Sequence, residues 1–147
     1  MKTYNFLFYI IILIFFLFRC GFAHEEEITK NHYLIATDVG EQMNVSYYGD
    51  DDGTIYGTII PAKVFSIGFN KNYIIAKQHP CEDYGCIDTI TNYFILPVKD
   101  SMNWETKNGL LGPLNKPQFL QKRKELNIEN LEFTKTFDSL KWQQNYF

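Results

Sequence analysis

The sequence predicts an α+β fold: a single domain of mainly antiparallel β-sheet, with about six to seven strands and one C-terminal helix packed on it. Residues 62–98 contain short β-branched and aromatic runs separated by Asn, Gly and Lys, which is typical of tightly connected antiparallel strands. One clear helical pattern follows at residues 116–126. The chain has 147 residues, of which 46% are hydrophobic and 17% aromatic, enough for one core.

Residues 1–23 have the pattern of a secretory signal peptide. Lys2 precedes an apolar run over residues 6–18, which is shorter than the ~20 residues that a membrane-spanning helix needs. Gly21 and Ala23 supply the small residues that signal peptidase prefers before a cut after Ala23. We therefore expect export to the periplasm or the cell surface.

Cys20 leaves a second possibility open, because lipoprotein signals place a lipid-modified cysteine just after the apolar run. Arg19 stands where a bacterial lipoprotein signal has a small residue, so we favour cleavage after Ala23. The sequence predicts contact with a membrane only if Cys20 is lipidated or the leader is retained.

The mature chain is predicted to begin with a flexible linker at residues 24–31, which are charged and polar, followed by the single domain at residues 32–147. Beyond residue 23 there are 12 basic and 17 acidic residues, a net charge of −5. This acidic balance argues against a nucleic-acid partner.

Alternation and short apolar runs predict seven strands in chain order. Asp50, Asp51 and Asp52 connect the second strand to the third as a solvated turn, in preference to a calcium loop, and Pro61 interrupts strand pairing. The predicted strands are residues 33–37, 43–48, 54–60, 62–69, 73–78, 91–98 and 131–137.

A long connection over residues 99–115 leads to the predicted helix. Pro117 fits a first helical turn, Phe119 and Leu126 fall on one face, and a basic cluster at residues 122–124 favours the helix C-terminus. The polar residues 77–79 are expected to bring the end of their strand into solvent or onto a shallow surface.

Cys81 and Cys86 are predicted to form a disulfide. In an exported protein two nearby cysteines normally pair, and the four intervening residues, with Gly85 among them, can close such a loop. The closed loop is short, so the bridge is expected to fix a local loop more than to hold the fold.

The order of several segments resembles a family of small, exported bacterial proteins of unknown function. The resemblance lies in residues 33–37, 64–80 and 91–95, and in Gly112-Pro113-Leu114 leading into the helix at residues 119–126. It implies a bacterial envelope protein and supplies no catalytic residues.

No phosphate-binding glycine loop, nucleophile elbow or zinc-spaced set of Cys and His occurs, so the sequence predicts no cofactor and no metal. The alternative function is a small periplasmic hydrolase or metal-dependent enzyme that uses His79 with the acids of residues 82–88. His32 and His79 are otherwise interpreted as surface or strand-end residues.

The sequence favours an exported, non-catalytic module that binds a protein or another envelope component. Aromatic side chains often anchor such interfaces. The candidate binding surface consists of Tyr47, Tyr48, His79, Tyr84 and Trp104, and Trp142 is a further aromatic anchor.

Overall fold

The computed structural model describes residues 22–49, 56–82 and 85–137. In these ranges the chain forms one α-helix, α1, and eleven strands. The strands are β1 (His24–Thr29), β2 (His32–Ala36), β3 (Asn44–Tyr48), β4 (Tyr56–Ile60), β5 (Val64–Phe69), β6 (Tyr73–Gln78), β7 (Cys81–Glu82), β8 (Gly85–Cys86), β9 (Asn92–Pro97), β10 (Leu111–Leu114) and β11 (Lys135–Thr136), and α1 is Lys116–Glu125.

The strands form two antiparallel sheets and a small ribbon. Sheet A has the order β1-β2-β3-β4, sheet B has the order β10-β9-β6-β5-β11, and β7 pairs with β8. The predicted α+β class is confirmed, whereas the strands divide between two sheets instead of forming one. The division occurs at Pro61, where pairing was expected to stop: Lys63 adopts a left-handed φ of 68°, and β5 then starts in sheet B.

The two faces of sheet B bury different clusters. Alternation along β6 places Ile74 and Ala76 in a core shared with sheet A, and Ile75 in a second core on the opposite face. Leu34 and Val45 are fully buried sheet A members of the first core. The second core contains Phe119 of α1, so sheet B is the central layer between sheet A and the helix.

The predicted helix is confirmed, and its ends are well defined. The side chain of Asn115 accepts a hydrogen bond from the backbone N–H of Gln118, and the Gln118 side chain accepts one from the backbone N–H of Asn115. Near its C-terminus, Arg123 donates hydrogen bonds to the carbonyl of Leu131 at 2.5 Å and to that of Glu129. These bonds hold the segment that follows α1 against the second core.

The prediction of a flexible linker at residues 24–31 is wrong, because residues 24–29 form β1 and pair with β2. Glutamates on an edge strand point into solvent and do not prevent backbone pairing. Glu26 also contacts the ammonium of Lys135, which lies in β11 of sheet B, and this hydrogen bond lowers the pKa of the Glu26 carboxyl. The charged segment is therefore part of the fold.

Two further expectations are corrected. Gln78 is buried instead of emerging into solvent, because its amide donates to the carbonyl of Ala62 at 3.0 Å. Residues 131–137 contribute only the two-residue strand β11. The carbonyl of Glu132 lies against Gly68 of β5, so the segment first packs across β5 and pairs with it only at β11.

The predicted disulfide is confirmed: Cys81 and Cys86 are bonded and face each other across the β7–β8 ribbon. Several predictions lie outside the described residues, namely those for the leader with Cys20, for Asp50 to Asp52, for Tyr84 and for Trp142. No helix in the described part of the chain has the length and apolar character of a membrane span.

Candidate functional site

A groove of about 450 Å³ lies at one end of sheet A and is the candidate functional site. We call it the aromatic groove, because three aromatic side chains contribute to its lining. It is lined by Asn31, Tyr47, Tyr48, Gly49, Asp100, Ser101, Met102 and Trp104. These residues come from the turn between β1 and β2, the end of β3 and the connection between β9 and β10, so the groove depends on contacts between distant parts of the chain.

Tyr47 forms the buried wall of the groove. It lies near the end of β3, and its ring packs edge-on against His32 at a centroid distance of 5.1 Å and against Trp104 at 6.2 Å. A Cβ atom on Gly49 would lie 2.0 Å from the Tyr47 ring, so only glycine leaves room for the ring in this position. Tyr47 therefore has a fixed orientation.

His32 supports Tyr47 from inside the fold: it lies at a strand end, as one of the two predicted positions has it, but it is fully buried and not at the surface. The His32 Nδ1 atom donates to the carbonyls of Lys30 at 2.8 Å and of Thr29 at 3.1 Å, while Nε2 has no hydrogen-bond partner among the described residues. Burial lowers the pKa of His32 below its ordinary value. The ring is consequently neutral at pH 7 and packs as an apolar neighbour of Tyr47.

Trp104 forms the exposed wall of the groove. Its side chain is 46% exposed although its indole lies directly over Gly57 of β4. A Cβ atom on Gly57 would lie 2.0 Å from Cη2 of Trp104, closer than nonbonded atoms approach. One surface of the indole is thus packed on the backbone of β4, while about half of the residue is left to meet solvent or a ligand.

Residues 100–109, which we call the anchored loop, hold Trp104 in place. The Tyr47 hydroxyl donates to the carbonyl of Asp100 at 2.9 Å, and the ammonium of Lys30 pairs with the Asp100 carboxylate at 2.8 Å. Further along, the Lys107 ammonium donates to the carbonyl of Ile59 in β4 at 3.2 Å. The loop is therefore tied to β3, to β4 and to the turn between β1 and β2.

Asn108 organises the anchored loop from within. It is buried in a left-handed conformation with a φ of 57°. Its side-chain oxygen accepts from the N–H of Asn103 at 2.9 Å, and its amide nitrogen donates to the carbonyl of Ser101 at 3.1 Å. These bonds satisfy backbone groups that flank Trp104, so the loop presents the indole from a defined backbone.

The structure brings together Tyr47, Tyr48 and Trp104 of the predicted binding surface. His79 lies elsewhere: its ring stacks on Phe65 at a centroid distance of 4.3 Å, and its Nδ1 atom donates to the carbonyl of Ile90 at 2.8 Å. Tyr84 falls outside the described residues. The predicted surface therefore contains three residues of one groove and one residue with a separate packing role.

Sequence reasoning missed the polar residues that complete the groove, above all Asn31, Asp100 and Ser101. The sequence feature that marks the loop, on which no prediction was based, is the pair Asn108-Gly109, a combination that favours left-handed turns. It indicated a turn but gave no information about which strand the loop would contact.

The described residues hold no group of three or more His, Cys, Asp or Glu side chains that could bind a metal ion. Of the acids that the alternative function assigns to His79, the described part of the chain includes the side chain of Asp88. Asp88 accepts a hydrogen bond from Lys63 at 2.6 Å, and this bond is the main cause that lowers the pKa of the Asp88 carboxyl, with a smaller electrostatic contribution from His79.

A family model described as "Protein of unknown function (DUF3997)" matches residues 29–138, which include the residues that line the aromatic groove. No curated protein matches the chain, and no solved structure does. Because the match spans both sheets and the helix over most of the sequence, the chain belongs to the DUF3997 family of proteins of unknown function.

Proposed function

We propose that the chain is an exported binding module of the bacterial envelope, and that its aromatic groove holds a protein or another envelope component without a chemical step. The observation that carries this proposal is the half-exposed indole of Trp104, fixed over Gly57 by an anchored loop. A large, rigid and accessible aromatic side chain loses little conformational entropy on binding.

Export is supported by two features of the chain. Residues 1–23 have the charge and hydropathy pattern of a leader, and Cys81 and Cys86 form a disulfide of the kind that persists in oxidising compartments. We place the mature protein in the periplasm or at the cell surface. Attachment to the membrane would follow if Cys20 were lipidated or the leader retained.

Binding is favoured over catalysis by the contacts of the candidate residues. In the groove, the Asp100 carboxylate is paired with Lys30, and the Tyr47 hydroxyl is bonded to a backbone carbonyl. Outside the groove, the ring of His79 is stacked on Phe65 and bonded to a carbonyl. These groups hold the structure together, whereas catalysis requires an acid or base directed at a substrate.

Two measurements test the proposal. Mass spectrometry of the mature N-terminus, combined with cell fractionation, should find a processed chain outside the cytoplasm. A cytosolic protein that retains Met1 would contradict export.

For binding, the purified mature protein is incubated separately with envelope membranes, with wall material and with soluble envelope proteins. Wild type should be retained saturably by one of these fractions, and Trp104→Ala should lose at least about tenfold in affinity. Leu120→Ala is the matched control, because Leu120 is 44% exposed and lies on α1 outside the groove lining. Equal retention of the Trp104 and Leu120 variants, or no retention of wild type, would refute the groove as the binding site.

A further inference from the structure

The lining of the aromatic groove combines two kinds of surface. Tyr47, Tyr48 and Trp104 supply aromatic rings, and Asn31 and Ser101 supply a side-chain amide and a hydroxyl. Pyranose rings with equatorial substituents have the matching chemistry, because their C–H faces are apolar while their hydroxyl groups around the edge donate and accept hydrogen bonds. Flat apolar walls with a few polar groups are also the general form of small-ligand sites.

The charge of the lining favours a neutral ligand. Among the eight described residues of the lining, Asp100 is the one with an acidic or basic side chain, and the Lys30 ammonium lies 2.8 Å from its carboxylate. A phosphate or carboxylate ligand would meet no unpaired cation in this lining. A cationic ligand would have to compete with Lys30 for the carboxylate.

The dimensions of the groove are compatible with a short oligosaccharide. Its volume of about 450 Å³ falls within the range of ~300–1,000 Å³ that small-ligand sites occupy. The exposed part of Trp104 can cover one sugar ring, and the polar residues of the lining lie in the turn between β1 and β2 and at the start of the anchored loop.

We infer that the aromatic groove binds a neutral oligosaccharide of equatorially substituted pyranose rings, with Trp104 as the platform on which one ring stacks. The inference rests on the proposed function for the use of this groove and adds the chemical class of the ligand.

The test is a titration of the folded mature protein, followed by ¹⁵N–¹H NMR. Cellotriose and triacetylchitotriose are the neutral probes, and deacetylated chitotriose and trigalacturonate are the cationic and anionic ones. The chain has two tryptophans, so comparison with the Trp104→Ala spectrum assigns the Trp104 indole signal. We expect that signal to shift saturably with at least one neutral trimer, which should bind at least about tenfold more tightly than either charged trimer.

Variants locate the binding to the groove. Trp104→Ala should weaken binding of the neutral trimer at least about tenfold, Trp104→Phe should weaken it less, and Leu120→Ala should leave it unchanged. Preserved amide dispersion in each spectrum shows that the variant is folded. Binding that survives Trp104→Ala at full strength, or a preference for a charged trimer, would overturn the inference.

The outcome also separates this inference from the proposed function. If an envelope protein binds through Trp104 and neutral trimers neither bind nor compete with it, the saccharide assignment fails and the binding module stands. If neither trimers nor envelope fractions bind, both proposals fail.

Discussion

Substituting alanine for Gly57 tests whether the position of Trp104 depends on the bare backbone of β4. The added Cβ atom would lie 2.0 Å from Cη2, 2.5 Å from Cζ3 and 2.8 Å from Cζ2 of the indole. Nonbonded carbon atoms prefer separations of about 3.5–4.0 Å. The indole therefore has to move away from β4, and its contact with Tyr47 is weakened at the same time.

The size of the effect follows from burial. Trp104 is 46% exposed, so about half of a side chain that can bury up to ~250 Å² is covered. At ~25 cal/mol/Å², complete loss of that contact would cost about 3 kcal/mol. Part of the contact survives when the ring shifts, and alanine in a strand gains roughly 0.5–1 kcal/mol over glycine. We expect Gly57→Ala to lower the free energy of unfolding by about 1–2 kcal/mol.

A double-mutant cycle measures this effect by urea denaturation followed by circular dichroism. Wild type, Gly57→Ala, Trp104→Ala and the double variant are compared at constant pH and salt. Once the indole is absent, the added methyl group meets no ring, so Gly57→Ala should become neutral or slightly stabilising in that background. The same loss of stability in both backgrounds would refute the packing of Trp104 on Gly57.

Three further predictions concern other parts of the fold. Burial lowers the pKa of His32 in the folded state, so the unfolded chain binds a proton first as the pH falls through about 6.5. The free energy of unfolding should decrease there by at most ~1.4 kcal/mol per pH unit. Urea midpoints measured between pH 7.5 and 5.5 should depend less on pH in His32→Gln than in wild type. Arg123→Lys should lower the free energy of unfolding by about 1–3 kcal/mol, because one ammonium cannot bond all the carbonyls that the guanidinium bonds. Lys124→Arg on the same helix should change the free energy of unfolding little. Equal effects of the two substitutions would contradict the role of Arg123. Replacing both Cys81 and Cys86 by Ser should lower the free energy of unfolding, measured by urea titration, by about 2 kcal/mol and leave the proposed binding by the aromatic groove intact. Failure of this variant to fold would show that the disulfide stabilises more than its exposed ribbon.

The parts of the fold that the sequence predicted are those with a local physical cause. Residues 62–69 and 73–78 were predicted as strands from their β-branched and aromatic runs, and the structure has the strands Val64–Phe69 and Tyr73–Gln78 there, both in sheet B. The helix at Lys116–Glu125 has its proline at the first turn and its basic residues in the last. In each case residues close in the sequence determine the structure.

The strand β1 could not be predicted in this way, because its stability comes from a partner. Three consecutive glutamates have low strand propensity, yet β1 pairs along its length with β2. The Glu26 carboxylate also forms an ion pair with the ammonium of Lys135. Lys135 lies 109 residues further along the chain. No local pattern contains that contact.

The candidate site shows the same limit. Tyr47, Tyr48 and Trp104 were selected as aromatic anchors, but nothing near residue 104 indicates that the indole would lie over Gly57. The bond that brings Asp100 to Tyr47 joins residues 53 positions apart. Glycine at positions 49 and 57 was the one sequence feature related to the ring positions, and it became interpretable only when the rings were located.

The path of the chain separates the contacts that fasten the anchored loop from the ring that we propose as the binding platform. After β9 the chain leaves sheet B, crosses to sheet A as the anchored loop and returns to sheet B as β10. Asp100 and Lys107 carry the contacts that fasten this crossing to sheet A, whereas the exposed part of Trp104 carries none of those hydrogen bonds. Substitutions that remove these bonds, at Tyr47 or Lys107, should therefore change stability and binding together, while changes of the Trp104 ring that keep its contact with Gly57 should alter ligand preference at little cost in stability.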